Sequence, residues 1–219
     1  MACALCGKES AQFEILCRSY FGNYDLDTRP PPLARYTLDH WIMSCPHCGY
    51  CTPDISKRHP DAPSVVQSKE YKELWGSEVA KLVLVTVGKE PNFKEPSAAV
   101  KFLCFAMIQE AGGETAGAGW AYLHAAWACD DENKKEKASE CRKSAIVQFE
   151  KCLKEKKKFF EQRGGEYAML AELYRRTGQF DAAVTISERE MENAEPIIVD
   201  VLRCEARLAR ASDDGCHSA

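Results

Sequence analysis

Two cysteine pairs constrain this chain more than anything else in it: Cys3-Ala-Leu-Cys6-Gly at its start, and Cys45-Pro-His-Cys48-Gly-Tyr50 further on. A thiolate pair with a two-residue spacer folds into a tight knuckle, and two facing knuckles supply the four sulfurs of a closed tetrahedral zinc site. The spacing therefore predicts one structural zinc ion held by Cys3, Cys6, Cys45 and Cys48. A site closed by sulfur has no open position for water or substrate, so the motif points to a metal-stapled fold and leaves biological activity to the rest of the chain.

The second pair has a rival reading. Cys45-Pro46-His47-Cys48 also spells the dithiol of some disulfide-forming enzymes, where a neighbouring histidine stabilises the reactive thiolate. Such a dithiol works within a thioredoxin-like sheet and helix, whereas this one is followed by Gly49-Tyr50 and has a second dithiol upstream. Glycine after the last ligand suits a metal knuckle, because a positive φ turns backbone amides toward sulfur. Metal binding is the preferred reading, with a thiol-disulfide oxidoreductase using Cys45 and Cys48 as the alternative; His47 is then a solvent-facing spacer and Cys51 a spare thiol.

Between the pairs, residues 13–18 and 36–43 are rich in aromatic and branched side chains, and a polar loop with Arg29-Pro30-Pro31-Pro32 separates them. Knuckle, strand, loop, strand, knuckle is the order of a zinc ribbon, placed here at residues 1–51. The prolines should stiffen an exposed loop, in which Asp25 and Asp27 serve as turn formers. Residues 52–67 are polar and proline-bearing and read as a linker.

From residue 68 to 211 the pattern is mainly helical, although residues 79–87 hold enough valine to pass for a strand. Pro96 can open a helix over 98–109 that Gly112-Gly113 closes, and residues 120–129 form another. A long helix is expected over 134–162, with Cys141, Ala145, Phe149, Cys152, Leu153 and Phe160 on its buried face. Its other face, 134–158, is basic and includes Arg142. That face reads as a solvated surface or, functionally, as a docking patch for an acidic partner or an RNA.

Tyr167, Leu170, Ala171, Tyr174, Gly178, Phe180 and Ala183 have the spacing of a tetratricopeptide repeat, in which large and small residues of two helices interlock across a glycine turn. A looser unit combines Trp120, Leu123 and Trp127 with Ala145, Phe149 and Cys152, and His124 falls where a small residue would pack. Pro196 opens a capping helix over 197–210, and residues 212–219, which include Cys216 and His217, are expected to form a flexible tail.

Composition narrows function by exclusion. A net charge of −4 offers no general attraction to nucleic acid, which leaves a nucleic-acid-binding zinc ribbon as a second alternative. No apolar run approaches the roughly 20 residues of a membrane span, and the start lacks signal-peptide character, so a cytoplasmic protein is expected. Cys104, Cys129, Cys141, Cys152 and Cys204 sit singly among apolar or periodic residues and read as reduced packing residues. There is no Gly-rich phosphate loop, no His-Glu-x-x-His helix and no serine elbow, and His40, His59 and His124 are scattered.

The early Cys-x-x-Cys-Gly, the later Trp41-Ile-Met-Ser-Cys-Pro-His-Cys-Gly-Tyr50 and the repeat-like helices together resemble a bacterial domain-of-unknown-function family, number 2225. The resemblance implies a zinc-ribbon-like segment fused to helical repeats, with the family's four cysteines at Cys3, Cys6, Cys45 and Cys48. It brings no reaction and no substrate. The expectation is a mainly α protein with a small β zinc-ribbon-like N-terminal module and tetratricopeptide-like antiparallel helix pairs. Its expected role is a non-enzymatic scaffold for a protein or peptide partner.

Overall fold

The computed structural model describes residues 1–16, 21–77 and 95–218. The valine-rich stretch 79–87 and the end of the stretch 13–18 lie outside them.

Most of the described chain is helical, as the periodicity predicts. Helix α1 (Pro32–Arg35) is short. After it come strands β1 (Met43–Ser44) and β2 (Cys51–Thr52), then α2 (Ala62–Gln67), α3 (Lys69–Trp75) and α4 (Ala98–Ala111). The series continues with α5 (Thr115–Asp131), α6 (Lys135–Lys154), α7 (Gly165–Arg176), α8 (Phe180–Glu190) and α9 (Pro196–Arg210). Ser97 caps α4 by accepting from the Val100 amide, and Ser68 caps α3 through the Tyr71 amide.

Helix α4 is the hub. Ala98, Ala99, Val100, Phe102, Cys104, Ala106 and Ile108 leave it no polar stripe, and all are buried. A helix apolar on every side must be covered on every side. Helices α2, α3 and α5, strand β2 and the 3-10 turn at Leu38–His40 do the covering. Helix α6 runs back along α5, since Arg142 meets Asp130 while Phe149 meets Trp120. Further on, α9 lies against both α7 and α8. One continuous cluster of buried residues extends from Cys3 to Leu202, so the cysteine region shares its core with the helices.

The two-stranded antiparallel sheet pairs Met43 with Thr52 and Ser44 with Cys51. It brackets the second knuckle, and this corrects the expected hairpin of 13–18 with 36–43. Residues 13–16 form no strand, and residues 36–43 hold the 3-10 turn and lead into β1. Pro32 starts α1 because its fixed φ suits a first helical position, where its missing N–H costs nothing. The segment 52–67 is also more ordered than a linker: Ile55, Ala62 and Val66 are buried, and α2 lies within it.

Four further expectations need correction. The helix from 134 ends at Lys154, and Lys156 takes a positive φ of 55°. Residues 154–158 put charge on every face, leaving nothing to bury, so the chain turns back and Phe159 stacks on Phe149 at 4.3 Å. Arg142 is no part of a solvated basic face: it is 3% exposed and pairs with Asp130. The proline loop is likewise covered in part: Arg29, Pro30 and Pro31 are buried, and Pro32 is exposed. Asp27 is buried and accepts the Trp127 indole N–H at 2.6 Å, while Asp25 pairs with Arg35 at 2.7 Å. Finally, residues 212–218 lie against that loop, with Leu26 N–H donating to the His217 carbonyl at 2.9 Å.

Candidate metal centre

Each knuckle is built the same way. The Cys3 amide bonds the Lys8 carbonyl at 3.0 Å and the Gly7 amide returns to the Cys3 carbonyl at 2.8 Å. In the second, the Cys45 amide bonds the Tyr50 carbonyl at 2.9 Å and the Gly49 amide returns to Cys45 at 2.8 Å. Both returns require left-handed backbone, and Gly7 and Gly49 have φ of 71° and 80°.

The supports differ. Around the second knuckle, the Tyr71 hydroxyl donates to the Gly49 carbonyl at 2.8 Å and accepts the Cys51 amide at 3.2 Å. One turn later on α3, the Trp75 indole donates to Ser44 Oγ at 3.1 Å, and its ring covers Gly49. The Tyr50 hydroxyl donates to the Lys57 carbonyl at 2.8 Å and accepts the His59 amide at 3.0 Å. The first knuckle is anchored by the Ala4 amide on the Ile55 carbonyl at 2.8 Å.

The knuckles face each other. Cys3 Sγ lies 3.7 Å from Cys48 Sγ, Cys6 Sγ lies 3.7 Å from Cys45 Sγ, and all four sulfurs fall within 4.8 Å of one another. A tetrahedron of zinc–sulfur bonds of about 2.3 Å has edges of about 3.8 Å, so the donor set has the size and chemistry of a four-sulfur metal site. Burial pushes the Cys45 thiol up, and burial together with Cys45 holds Cys48 far above the usual thiol range. Cys6 shifts the other way; burial would raise it, but the hydrogen bond with the Lys8 backbone and those with the other three sulfurs draw it down. A divalent cation at the centre would offset the cost of burying the thiolates with four favourable bonds.

The structure brings together every cysteine that the spacing predicts as a ligand. Cys51 stays outside the group, buried with its Sγ on Ser44 Oγ at 3.5 Å and the Gly49 carbonyl at 3.3 Å. His47 is exposed, with Nε2 3.1 Å from the Glu9 carbonyl. Cys104, Cys129, Cys141 and Cys152 are buried in the helices. His124 keeps a strip of exposure but is walled by the rings of Trp41, Phe102, Trp120 and Trp127, and this enclosure holds its imidazole far below the ordinary histidine range. It is a packed neutral side chain in the described structure.

Sequence reading missed the partners of the second knuckle. Tyr71 and Trp75 are four residues apart, which puts them on one helix face, yet nothing local says that the face meets Gly49.

Over residues 3–205 the chain matches the family described as an uncharacterized protein conserved in bacteria (DUF2225). No curated protein and no solved structure matches it.

Proposed function

We propose, from the premise that the chain belongs to the DUF2225 family of bacterial proteins, that it is a non-enzymatic adaptor whose N-terminal region is stapled by one structural zinc ion and whose helices receive a protein or peptide partner. The cross-knuckle sulfur contacts of 3.7 Å carry the metal part of this reading. In a disulfide-exchanging enzyme the Cys45–Cys48 dithiol would be presented to substrate; here each of those sulfurs faces a cysteine of the other knuckle, and Cys45 is fully buried. Cys3, Cys6, Cys45 and Cys48 would hold the ion, which would supply folding energy and no chemistry.

The helices support the adaptor part. Leu153, Leu170, Tyr174 and Ile186, with Glu150 and Arg189 at the rim, line an open groove of about 440 Å³ between α6, α7 and α8. Apolar walls with a few polar groups suit a side-chain anchor.

Elemental mass spectrometry on protein purified without added metal tests the staple. The expected result is about one zinc per chain and four thiols that resist alkylation until unfolding, both lost in Cys3→Ser or Cys48→Ser. Metal-free protein that forms a reversible Cys45–Cys48 disulfide and catalytically reduces insulin would replace this reading with the oxidoreductase one. Cross-linking in cells that captures no protein partner would remove the adaptor part.

A further inference from the structure

We infer that the groove between α6, α7 and α8 receives an acidic peptide segment with one large apolar side chain, the side chain entering the groove and the acidic residues lying along the lysines of α6. The inference rests on the adaptor reading and names the partner's chemistry.

The groove is apolar inside and polarised along its length. Leu153, Leu170 and Ile186 line it from three helices, and the small residues Ala182 and Thr185 on α8 leave it open. Tyr174 meets Glu150 while Leu170 and Leu153 share the wall nearer the start of α7, so α6 and α7 are antiparallel. A turn of three residues, 177–179, then reverses the chain into α8. Helices α6 and α8 therefore run the same way, and their charges are ordered alike: Glu150 and Asp181 come first, Lys154 and Arg189 later. One end of the groove is acidic and the other basic.

Basic charge continues from the basic end onto the open face of α6. Lys143, Val147, Lys151 and Lys154 recur at helical spacing and form one exposed stripe, with Val147 60% exposed among the lysines. Lys156, Lys157 and Lys158 follow in the turn. Over residues 143–158 six lysines stand against two acids, in a chain whose net charge is −4. Those acids are already engaged. Glu150 accepts the Tyr174 hydroxyl at 2.6 Å, and Glu155 pairs with Lys157 at 2.8 Å and reaches Lys151 at 4.0 Å. Arg189 pairs with Glu190 at 2.7 Å, but Lys143, Lys154, Lys156 and Lys158 have no partner among the described residues.

Charge complementarity selects the occupant. Carboxylates gain at the basic end and along the stripe, while Glu150 and Asp181 turn them away from the other end, so the segment can lie in one direction only. An apolar side chain in the groove supplies the anchor, and the lysines set direction and speed of capture. An RNA fits less well, because its backbone brings a phosphate at every nucleotide past both carboxylates.

Random peptides displayed on phage and selected against the full-length protein test this. Enriched sequences should share one large apolar residue flanked by Asp or Glu, and a fluorescent peptide of that consensus should bind saturably. Thr185→Trp, at an exposed position on the edge of the groove, should weaken binding at least about tenfold. Lys151→Gln with Lys154→Gln should weaken it about five- to tenfold and flatten its salt dependence, both variants keeping their helical circular dichroism. The inference is overturned by a selection that enriches nothing, by enriched peptides that lack acidic residues, or by acidic peptides that bind Thr185→Trp as well as the parent. A polyuridine oligonucleotide that outcompetes the peptide would replace it with an RNA site. Should the peptide bind as expected while cross-linking in cells captures no protein, the adaptor reading fails and the site stands. Captured partners that bind both variants undiminished leave the adaptor reading in place and remove this site from it.

Discussion

Two regions of this protein gather buried charge, and they neutralise it in opposite ways. The four sulfurs of Cys3, Cys6, Cys45 and Cys48 converge in a group that could hold a metal ion, whose positive charge would come from outside the chain. Where α7 meets α9, Arg175 lies against Glu172 and Glu205, and Arg176 reaches toward both Glu172 and Asp130, so the chain supplies its own cations. With an ion bound, the first arrangement would make local folding conditional on something outside the chain. The second needs no ion from outside, yet it taxes stability, because buried ion pairs seldom recover the full cost of leaving water.

The contrast breaks most visibly on metal removal. Chelation, or Cys48→Ser, should destabilise the protein by more than about 4 kcal/mol in thermal or denaturant melts, the scale on which loss of a structural metal acts. Unfolding should begin at the first knuckle, whose thiols should be the first to react with an alkylating reagent. The arginine cluster should show nothing comparable to chelation. It should fail when halved: Arg175→Met leaves two carboxylates buried beside an apolar side chain and should cost about 3–5 kcal/mol, while the triple replacement Arg175→Met, Glu172→Leu, Glu205→Leu should recover most of that loss. If the triple variant is as unstable as the single one, the cluster holds the fold in its own right.

A smaller effect separates the knuckles. Tyr71→Phe strips a hydroxyl from between the Gly49 carbonyl and the Cys51 amide and should cost about 1–3 kcal/mol. It should also speed zinc loss to a competing chelator through the second knuckle. The mildest probe is pH. Burial, and then Glu172, raise the Glu205 carboxyl to about 9 from its ordinary 4.5. The folded chain thus keeps a proton that the unfolded chain releases, so this group makes stability fall as pH rises from about 4.5 to about 9, with no further change above. The slope is at most about 1.4 kcal/mol per pH unit. Glu205→Gln should flatten it in urea titrations across that window; an unchanged slope would show that Glu205 is ionised in the fold.

Much of the metal centre was legible in the sequence because a Cys-x-x-Cys-Gly knuckle is a local object. Its spacer, its glycine and its hydrogen bonds lie within six residues, and zinc chemistry dictates that two such objects must meet. Helices α4 to α9 were legible for a similar reason, since apolar periodicity and flanking Gly and Pro residues report on neighbours three or four positions away. The misreadings share the opposite character. Asp25, Asp27 and the three prolines look like an exposed loop until Trp127 and Arg35 are placed beside them, and Arg142 looks like one more surface cation until Asp130 faces it. The polar segment 212–218 has no pattern of its own that would dock it.

By itself, then, the sequence determined which cysteines pair into knuckles, where the main helices run, and that the chain belongs with its bacterial family. Each of these depends on interactions between residues close along the chain. Only the tertiary structure decided what grips the second knuckle, which charges are buried, and where residues 212–218 lie. Those outcomes depend on pairs such as Asp27 with Trp127, and Leu26 with His217, which are far apart in sequence and acquire their meaning only when the fold brings one to satisfy the other.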